Sequence, residues 1–409
     1  MWLLPAHASE DRELGYSLAG LLEYAREHNP ELAASRFEAE ASLQRIEPAG
    51  ALPDPVLRAE LMDITNQGTN KAASLLPSQV GGTRYLVTQS LPWFGKRDLQ
   101  RDLATAQADQ AGGQIAASWA DLSSRIKSTY AMYYYLSASE RLTRQTLSLL
   151  ENLERIARTR YANGLGSQQE VIRVQIEITN LHGELIPLGN KHHHAHVRLN
   201  SLLSRPAYAP LAEPVQLRPL PASAQLDEEM LQEKLRARNP QLQIAEAQIQ
   251  SAEKNRDLTY IDRYPGFMLG IAPTQSGSAI RSWDLMIELN IPLQQSSRRS
   301  QEREAEAVLA AADARKQSIH DQLAATLSAG LSELNAARRT EKLLATRLLP
   351  QSELTYQSAL AGYETGKVDF ATLIAAQQQI LRTRQQRLKS QLDIQLQLAD
   401  IERLLGEEL

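Results

Sequence analysis

Arg160-Tyr161-Ala162-Asn163-Gly164-Leu165-Gly166-Ser167 recurs about two hundred residues later as Gly362-Tyr363-Glu364-Thr365-Gly366-Lys367-Val368-Asp369, with Gln175 and Gln377 behind them in register. Each copy reads as a sharp reversal between two helices. Gly164, Gly166 and Gly366 are expected to accept positive φ. Ser167 and Asp369 are expected to cap the returning helices.

Outward from the first reversal, residues 96–160 hold no proline, and their only glycines are Gly112-Gly113. Leu122, Ile126, Thr129, Tyr133 and Leu136 step by four and three, as do Leu142, Thr146, Leu149, Leu153 and Ile156. Before the second reversal the series is Leu323, Leu327, Gly330, Leu334, Ala337, Glu341, Leu344 and Leu348. This is coiled-coil spacing. At about 1.5 Å per residue such helices reach roughly 95 Å, longer than a globular domain accommodates.

Further out the duplication continues. Asn29-Pro30-Glu31-Leu32 returns as Asn239-Pro240-Gln241-Leu242, and Gln89-Ser90-Leu91-Pro92 as Leu289-Asn290-Ile291-Pro292. Each half therefore reads helix, strand pair, very long helix, turn, long helix. The strands are short and alternate, as in Leu57-Arg58-Ala59-Glu60-Leu61. Phe267, Leu269 and Ile271 share one face, Tyr85, Val87 and Leu91 another, and Trp283 opens a run with Leu285, Ile287 and Leu289 opposite Asp284, Glu288 and Asn290. Such segments suit a tilted strand crossing an outer membrane. Four strands are too few for a barrel, and three chains would close one of twelve. A soluble coiled-coil scaffold fits the helices alone but leaves the strands unexplained.

Composition narrows the classes. The 409 residues are 43% hydrophobic and 22% charged, with a net charge of -4, which gives no basis for a nucleic-acid partner. Without cysteine there is no disulfide, thiolate metal site or cysteine nucleophile. No run of eighteen apolar residues marks a transmembrane helix. Ala6-His7-Ala8, after the apolar stub Trp2-Leu3-Leu4, resembles the end of a secretory signal. No P-loop, G-x-S-x-G elbow or H-E-x-x-H motif is present, so no catalytic residue and no cofactor is assigned, and the chain is not expected to be an enzyme. His192 and His196, four apart on one helix face, are weak metal-ligand candidates. They read better as an interhelical stripe.

Trp93, Phe94, Lys96, Arg97 and Trp283 are expected to anchor at a membrane interface, where aromatic rings and basic side chains are favoured. Arg160, Glu170, Arg173, Glu364, Lys367 and Asp369 place opposite charges near the two reversals and are candidate gate charges.

Asn29-Pro30-Glu31-Leu32, Ala51-Leu52-Pro53-Asp54-Pro55, Leu91-Pro92-Trp93-Phe94-Gly95-Lys96-Arg97, Arg160-Tyr161-Ala162-Asn163-Gly164 and Gly362-Tyr363-Glu364-Thr365-Gly366 resemble the TolC-type outer-membrane efflux family. The second and third stretches look most like the branch serving heavy-metal exporters of the cobalt–zinc–cadmium and copper–silver types. The resemblance implies a mainly α fold with a small transmembrane β part. Long coiled-coil hairpins would form an α-barrel tunnel, and four strands per chain would enter a trimeric 12-stranded β-barrel. It further implies a homotrimer in the outer membrane of a Gram-negative bacterium, contacting its lipid and docking with a periplasmic adaptor and an inner-membrane proton-driven pump. The reversals become periplasmic tips, with Tyr161, Gly164, Ser167, Tyr363, Gly366 and Asp369 as adaptor-contact and turn residues. Some relatives close the tip with aspartate rings; here the comparable positions are Thr372 and Ala375, which makes Asp369 a cap. The implied function is passive export of heavy-metal cations, with drug efflux and type I secretion as alternatives on the same fold.

The expected division begins with a signal-peptide remnant and N-terminal segment at 1–15 and first-half helices at 16–52. A first β-hairpin follows at 53–92, then a long helical hairpin at 93–203 with its tip near 161–167. A linker at the tunnel waist occupies 204–226. Second-half helices at 227–260, a β-hairpin at 261–292 and a long hairpin at 293–409 with its tip near 363–369 complete the chain.

Overall fold

The computed structural model describes residues 14–65 and 72–409; the signal-like segment at 2–9 lies outside the described residues. Helices α1 (Leu18–His28), α2 (Pro30–Leu43) and α3 (Ile46–Ala49) precede strands β1 (Val56–Met62) and β2 (Gly82–Leu91). α4 (Lys96–Ala162) and α5 (Gln168–Leu202) follow. The second half has α6 (Glu228–Arg238), α7 (Pro240–Ile261), β3 (Gly266–Ser276) and β4 (Ala279–Asn290). It ends with α8 (Gln295–Leu343), a π-helical turn (Leu344–Leu348), α9 (Leu349–Glu364) and α10 (Phe370–Leu405). The chain divides into two units. One holds the described residues up to Ser35 with Ile115–Pro240 and His320–Leu409; the other holds Arg36–Gln114 and Gln241–Ile319.

The first unit is helical. Its core takes Leu122, Ile126, Tyr133 and Leu136 from α4, Leu199 and Leu203 from the end of α5, and Leu21 and Ala25 from α1. A second cluster joins Leu142, Leu150, Leu153 and Ala157 to Val174, Tyr363, Phe370 and Leu373. Ile156, expected in the seam, is 50% exposed, and Ala157 is buried in its place. A straight helix at 3.6 residues per turn drifts from a 3.5 repeat by about 20° per heptad. Over these turns the buried line moves one residue along.

The duplicated Asn-Pro dipeptides join helix ends. Asn29 ends α1, its Oδ1 accepts from the Glu31 and Leu32 amides, and its Nδ2 donates to Leu202 O at 2.9 Å. Asn239 repeats the last contact, donating to Leu404 O at 2.7 Å. Proline at the following position opens the next helix where its missing N–H costs nothing. The two long hairpins differ in where they are interrupted. α4 is continuous over 67 residues, and Pro187 lies inside α5. In the second half the outgoing helix widens into the π-turn just before Pro350, and α10 is uninterrupted. A proline ring clashes with the carbonyl four residues back, and one wider turn relieves it.

The second unit carries an antiparallel sheet in the order β1-β2-β3-β4. Leu57 pairs with Val87, Val87 with Ile271, and Ile271 with Leu285, so these four share one face. All four are exposed, between 41% and 76%. The opposite face carries Glu60, Arg84 and Asp284, with Arg84 3.9 Å from each carboxylate. Leu86 and Met286 also lie on this face, over Gly270, where a Cβ would sit 3.1–3.2 Å from both. β4 begins at Ala279, so Trp283 lies inside the strand, opposite Pro273, and not at its start as the alternation suggested. Gly277 at φ +64° makes the tight turn that lets β4 start early.

Candidate functional site

Both tips lie in the helical unit and share one backbone solution. At the first, Gly164 adopts φ +69° and donates to Tyr161 O at 3.0 Å, while the Leu165 amide reaches Arg160 O at 2.8 Å. At the second, Gly366 adopts φ +74° and donates to Tyr363 O at 3.1 Å, while the Lys367 amide reaches Gly362 O at 2.8 Å. These bonds satisfy carbonyls that a helix end leaves orphaned. Ser167 Oγ accepts from the Glu170 amide at 3.3 Å and Asp369 Oδ1 from the Thr372 amide at 2.8 Å. The bonds from the Thr372 hydroxyl and amide hold the Asp369 carboxyl below the usual aspartate range, and Arg173 adds a smaller pull. Gly166 does not take positive φ, contrary to expectation. A Cβ there would lie 3.3 Å from both Arg160 Cβ and Glu170 Oε2, so this glycine supplies room.

That room exposes a reciprocal exchange. Arg160 pairs with Gly166, and at the equivalent positions Gly362 pairs with Val368. A Cβ on Gly362 would collide with Val368 Cγ2. The large member is on the outgoing helix at one tip and on the turn at the other. The tyrosines then part ways. Tyr161 is 47% exposed, whereas Tyr363 is 6% exposed and packs against Phe370 at a ring separation of 5.3 Å. Tyr363 Oη donates to Glu170 Oε2 at 3.1 Å, and the Arg160 guanidinium lies 5.0 Å from its ring centroid. Burial, and then the Glu170 carboxylate, pushes the Tyr363 phenol up from its ordinary value. Arg160 also donates to Leu165 O at 3.4 Å.

Among the described residues no ion pair within 4.0 Å joins Arg160, Glu170, Arg173, Glu364, Lys367 and Asp369. The expected pairing of opposite charges is replaced by a hydroxyl–carboxylate bond and a cation over a ring. Arg173, Glu364 and Lys367 are exposed. Sequence reading named Tyr363 and Glu170 separately and missed that they meet. No spacing rule links residues so far apart, and the only signal was that both fall within one turn of a tip.

Trp93, Phe94, Lys96 and Arg97 gather where the sheet meets the helices in the second unit, whereas Trp283, opposite Pro273 inside β4, lies away from that junction, contrary to the expected shared interface. Trp93 stacks on Tyr264 at 4.9 Å and on Phe267 at 5.6 Å. Phe94 is 82% exposed. Lys96 Nζ is 2.5 Å from Asp262 Oδ1, and Arg97 Nε donates to Gly50 O at 2.8 Å. Trp283 is exposed on the face carrying Leu285 and Ile287.

The histidines lie on α5. The His192 ring stacks on Tyr133 at 4.7 Å, and His196 meets the same ring edge-on at 6.1 Å. Burial, then the neighbouring His193, His192 and Arg205, lowers the His196 pKa. Burial, then Glu213, pushes the Tyr133 phenol up to about 12. Among the described residues no group of three or more metal-ligating side chains converges. One charged cluster escaped the sequence reading. Lys127 and Glu402 are each 4% exposed and 2.9 Å apart, with Arg218 Nη1 2.6 Å from the same carboxylate and Glu408 2.8 Å from Lys127. Removing one partner of such a buried pair costs about 3–5 kcal/mol. The cluster ties α4, α10 and the 204–226 linker together.

The sequence profile of the family described as outer membrane efflux protein matches residues 21–205 and 231–407. No curated protein sequence matches the chain. Solved structures do. A membrane protein from Pseudomonas aeruginosa is 19% identical with a TM-score of 0.80, covering 100% of this chain and 97% of that one. The outer membrane protein VceC from Vibrio cholerae is 16% identical with a TM-score of 0.78, covering 96% of each. CusC, described for conformational changes accompanying folding and transmembrane channel formation, is 16% identical with a TM-score of 0.76, covering 99% of this chain and 95% of that one. These likenesses establish the fold.

Proposed function

Because the chain belongs to the outer membrane efflux protein family, we propose that it is one protomer of a homotrimeric outer-membrane channel, a passive conduit for heavy-metal cations. The observation that carries this reading is the four-stranded sheet. Its outer strands, β1 and β4, each pair on one side only, and one of its faces is apolar and exposed. Lipid does not tolerate open sheet edges, so the sheet must join further copies edge to edge, and three copies close the 12-stranded barrel that the family resemblance implies. Leu57, Val87, Ile271 and Leu285 then face lipid, and Glu60, Arg84, Asp284 and Glu288 face the lumen. The interface residues Trp93, Phe94, Lys96 and Arg97 fall at the periplasmic rim.

The chain has no nucleotide-binding loop and so no energy source of its own; the family resemblance assigns that role to an inner-membrane proton-driven pump. A periplasmic adaptor contacts the tips, of which three chains present six in a ring. In this reading the bond between Tyr363 and Glu170 and the Arg160–ring contact hold the two tips of a protomer together in the closed state. The choice of metal over drug cargo is supported by the Ala51–Pro55 and Leu91–Arg97 stretches. The deciding experiment is metal tolerance in cells whose own duct is deleted. Wild-type protein should restore tolerance, and so should the His192→Ala/His196→Ala double variant. Restoration of drug tolerance alone would overturn the metal assignment, and a stable membrane-inserted monomer would overturn the trimer.

A further inference from the structure

Away from the tips, α4, α5 and α10 enclose an open cavity of about 660 Å³ within the helical unit. Its floor is apolar, formed by Met132, Tyr135 and Leu136 of α4, Leu188 of α5, and Leu392 and Leu396 of α10. Its rim is basic. Lys191, His194 and Arg198 lie three and four residues apart on α5, in line with Leu188, so one helix face delivers both an apolar anchor and three nitrogen-bearing side chains. Lys389 closes the rim from α10, where Asp393 partners it at 2.7 Å. Among the described residues, none of Lys191, His194 and Arg198 has a carboxylate within 4.0 Å. Three such side chains around one apolar hollow concentrate positive charge where a ligand's apolar part would be buried.

We propose that this cavity binds an amphiphilic anion, an alkyl or aryl tail on the apolar floor with a carboxylate or like head between Lys191 and Arg198. The volume lies in the range of small-ligand pockets, about 300–1,000 Å³, and the lining is of that kind, mostly apolar with a few convergent polar groups. Charge-assisted hydrogen bonds to the head fix its direction, and burial of the tail supplies the remainder. The site is independent of metal export and of the tips.

The test is equilibrium dialysis of the purified full-length protein with radiolabelled octanoate, with a detergent-only cell subtracted. Saturable binding is expected, and Lys191→Gln with Arg198→Gln should weaken it at least about tenfold. Both side chains are exposed, so the fold is undisturbed. Met132→Trp, which fills the hollow, should abolish binding while leaving the helical circular dichroism unchanged. Acetate, which lacks the tail, and octyltrimethylammonium, which inverts the charge, should fail to compete. Equal competition by either, or unchanged binding in the variants, overturns the proposal. Binding by the monomer but not by the assembled channel also overturns it, since a second copy of the chain then covers the cavity.

Discussion

Tyr161 stands in solvent at one tip, and Tyr363 is buried at the other, although the backbone bonds around them match to within a few tenths of an ångström. The shared part is what a helix reversal demands of any sequence. It needs a left-handed glycine, a carbonyl-satisfying amide and an N-cap. The unshared part is set by which side of the turn carries bulk. Arg160 with Gly166 leaves the first outgoing helix wide at its end, and its guanidinium covers the Tyr363 ring. Gly362 with Val368 leaves the second outgoing helix narrow beside its tyrosine. Duplication thus preserved the turn and freed the side chains, so one tip supplies the ring and hydroxyl while the other supplies the carboxylate and the cation.

The largest effect should test the shared part. Proline at Gly164 or Gly366 forces φ to about −65° against +69° and +74° and deletes the amide that bonds Tyr161 O or Tyr363 O, a cost of about 3 kcal/mol or more. Gly164→Pro and Gly366→Pro should both abolish restoration of metal tolerance while heat-modifiable trimers still form on gels. If one tip tolerates proline and the other does not, the backbone equivalence is functionally empty.

The second effect separates the glycines that make room. Gly362→Ala drives a methyl into Val368 and should cost about 1–3 kcal/mol. Gly166→Ala brings a methyl to 3.3 Å from Arg160 Cβ and Glu170 Oε2, a gap that a shift of a few tenths of an ångström relieves, and should cost less than the collision at Gly362. Hydrogen exchange at the two turns reads both. The double variant Gly362→Ala/Val368→Gly should recover most of the loss, because it copies the first tip's arrangement. Failure to recover would mean that Val368 has a role beyond bulk.

Third comes the bond between the tips. Tyr363→Phe removes a hydroxyl that donates from a buried ring to a partly exposed carboxylate and should cost about 1–2 kcal/mol. In planar bilayers it should raise the resting conductance, whereas Tyr161→Phe should leave it unchanged. Equal effects of the two variants would erase the distinction drawn between the tyrosines.

Much of this was legible in the residues. The doubled Tyr-x-x-Gly turn located both tips, the unbroken run 96–160 foretold α4, and alternation at Leu57–Leu61 and Leu285–Leu289 foretold strands. The sheet's two faces follow from period two alone. What escaped has physical causes. Ile156 fell out of the seam because a heptad count accumulates phase error over a straight helix. Gly166 was read as a φ position because glycine has two uses, conformational freedom and absence of bulk, and sequence does not separate them. The Tyr363–Glu170 bond and the Lys127–Glu402–Arg218 cluster join residues distant in the chain, where neither periodicity nor spacing carries information.

The smallest effect distinguishes the caps by pH. The second tip is capped by Asp369, whose folded pKa lies below its ordinary 3.8 because the charged form accepts bonds from Thr372. A group with a depressed folded pKa contributes stability that is fully present above the unfolded value and is lost as pH falls through the folded value. Acidification below about 3.8 should therefore loosen the start of α10, lowering exchange protection at the Thr372 and Leu373 amides. The first tip uses the Ser167 hydroxyl, which carries no proton equilibrium in this range, so the Glu170 amide should lose no protection through its cap. Asp369→Ser transplants the first cap onto the second tip and should leave the start of α10 with no acid-induced loosening. If loosening persists at the same pH in Asp369→Ser, it arises elsewhere in the hairpin, and the two tips do not differ in the way their caps suggest.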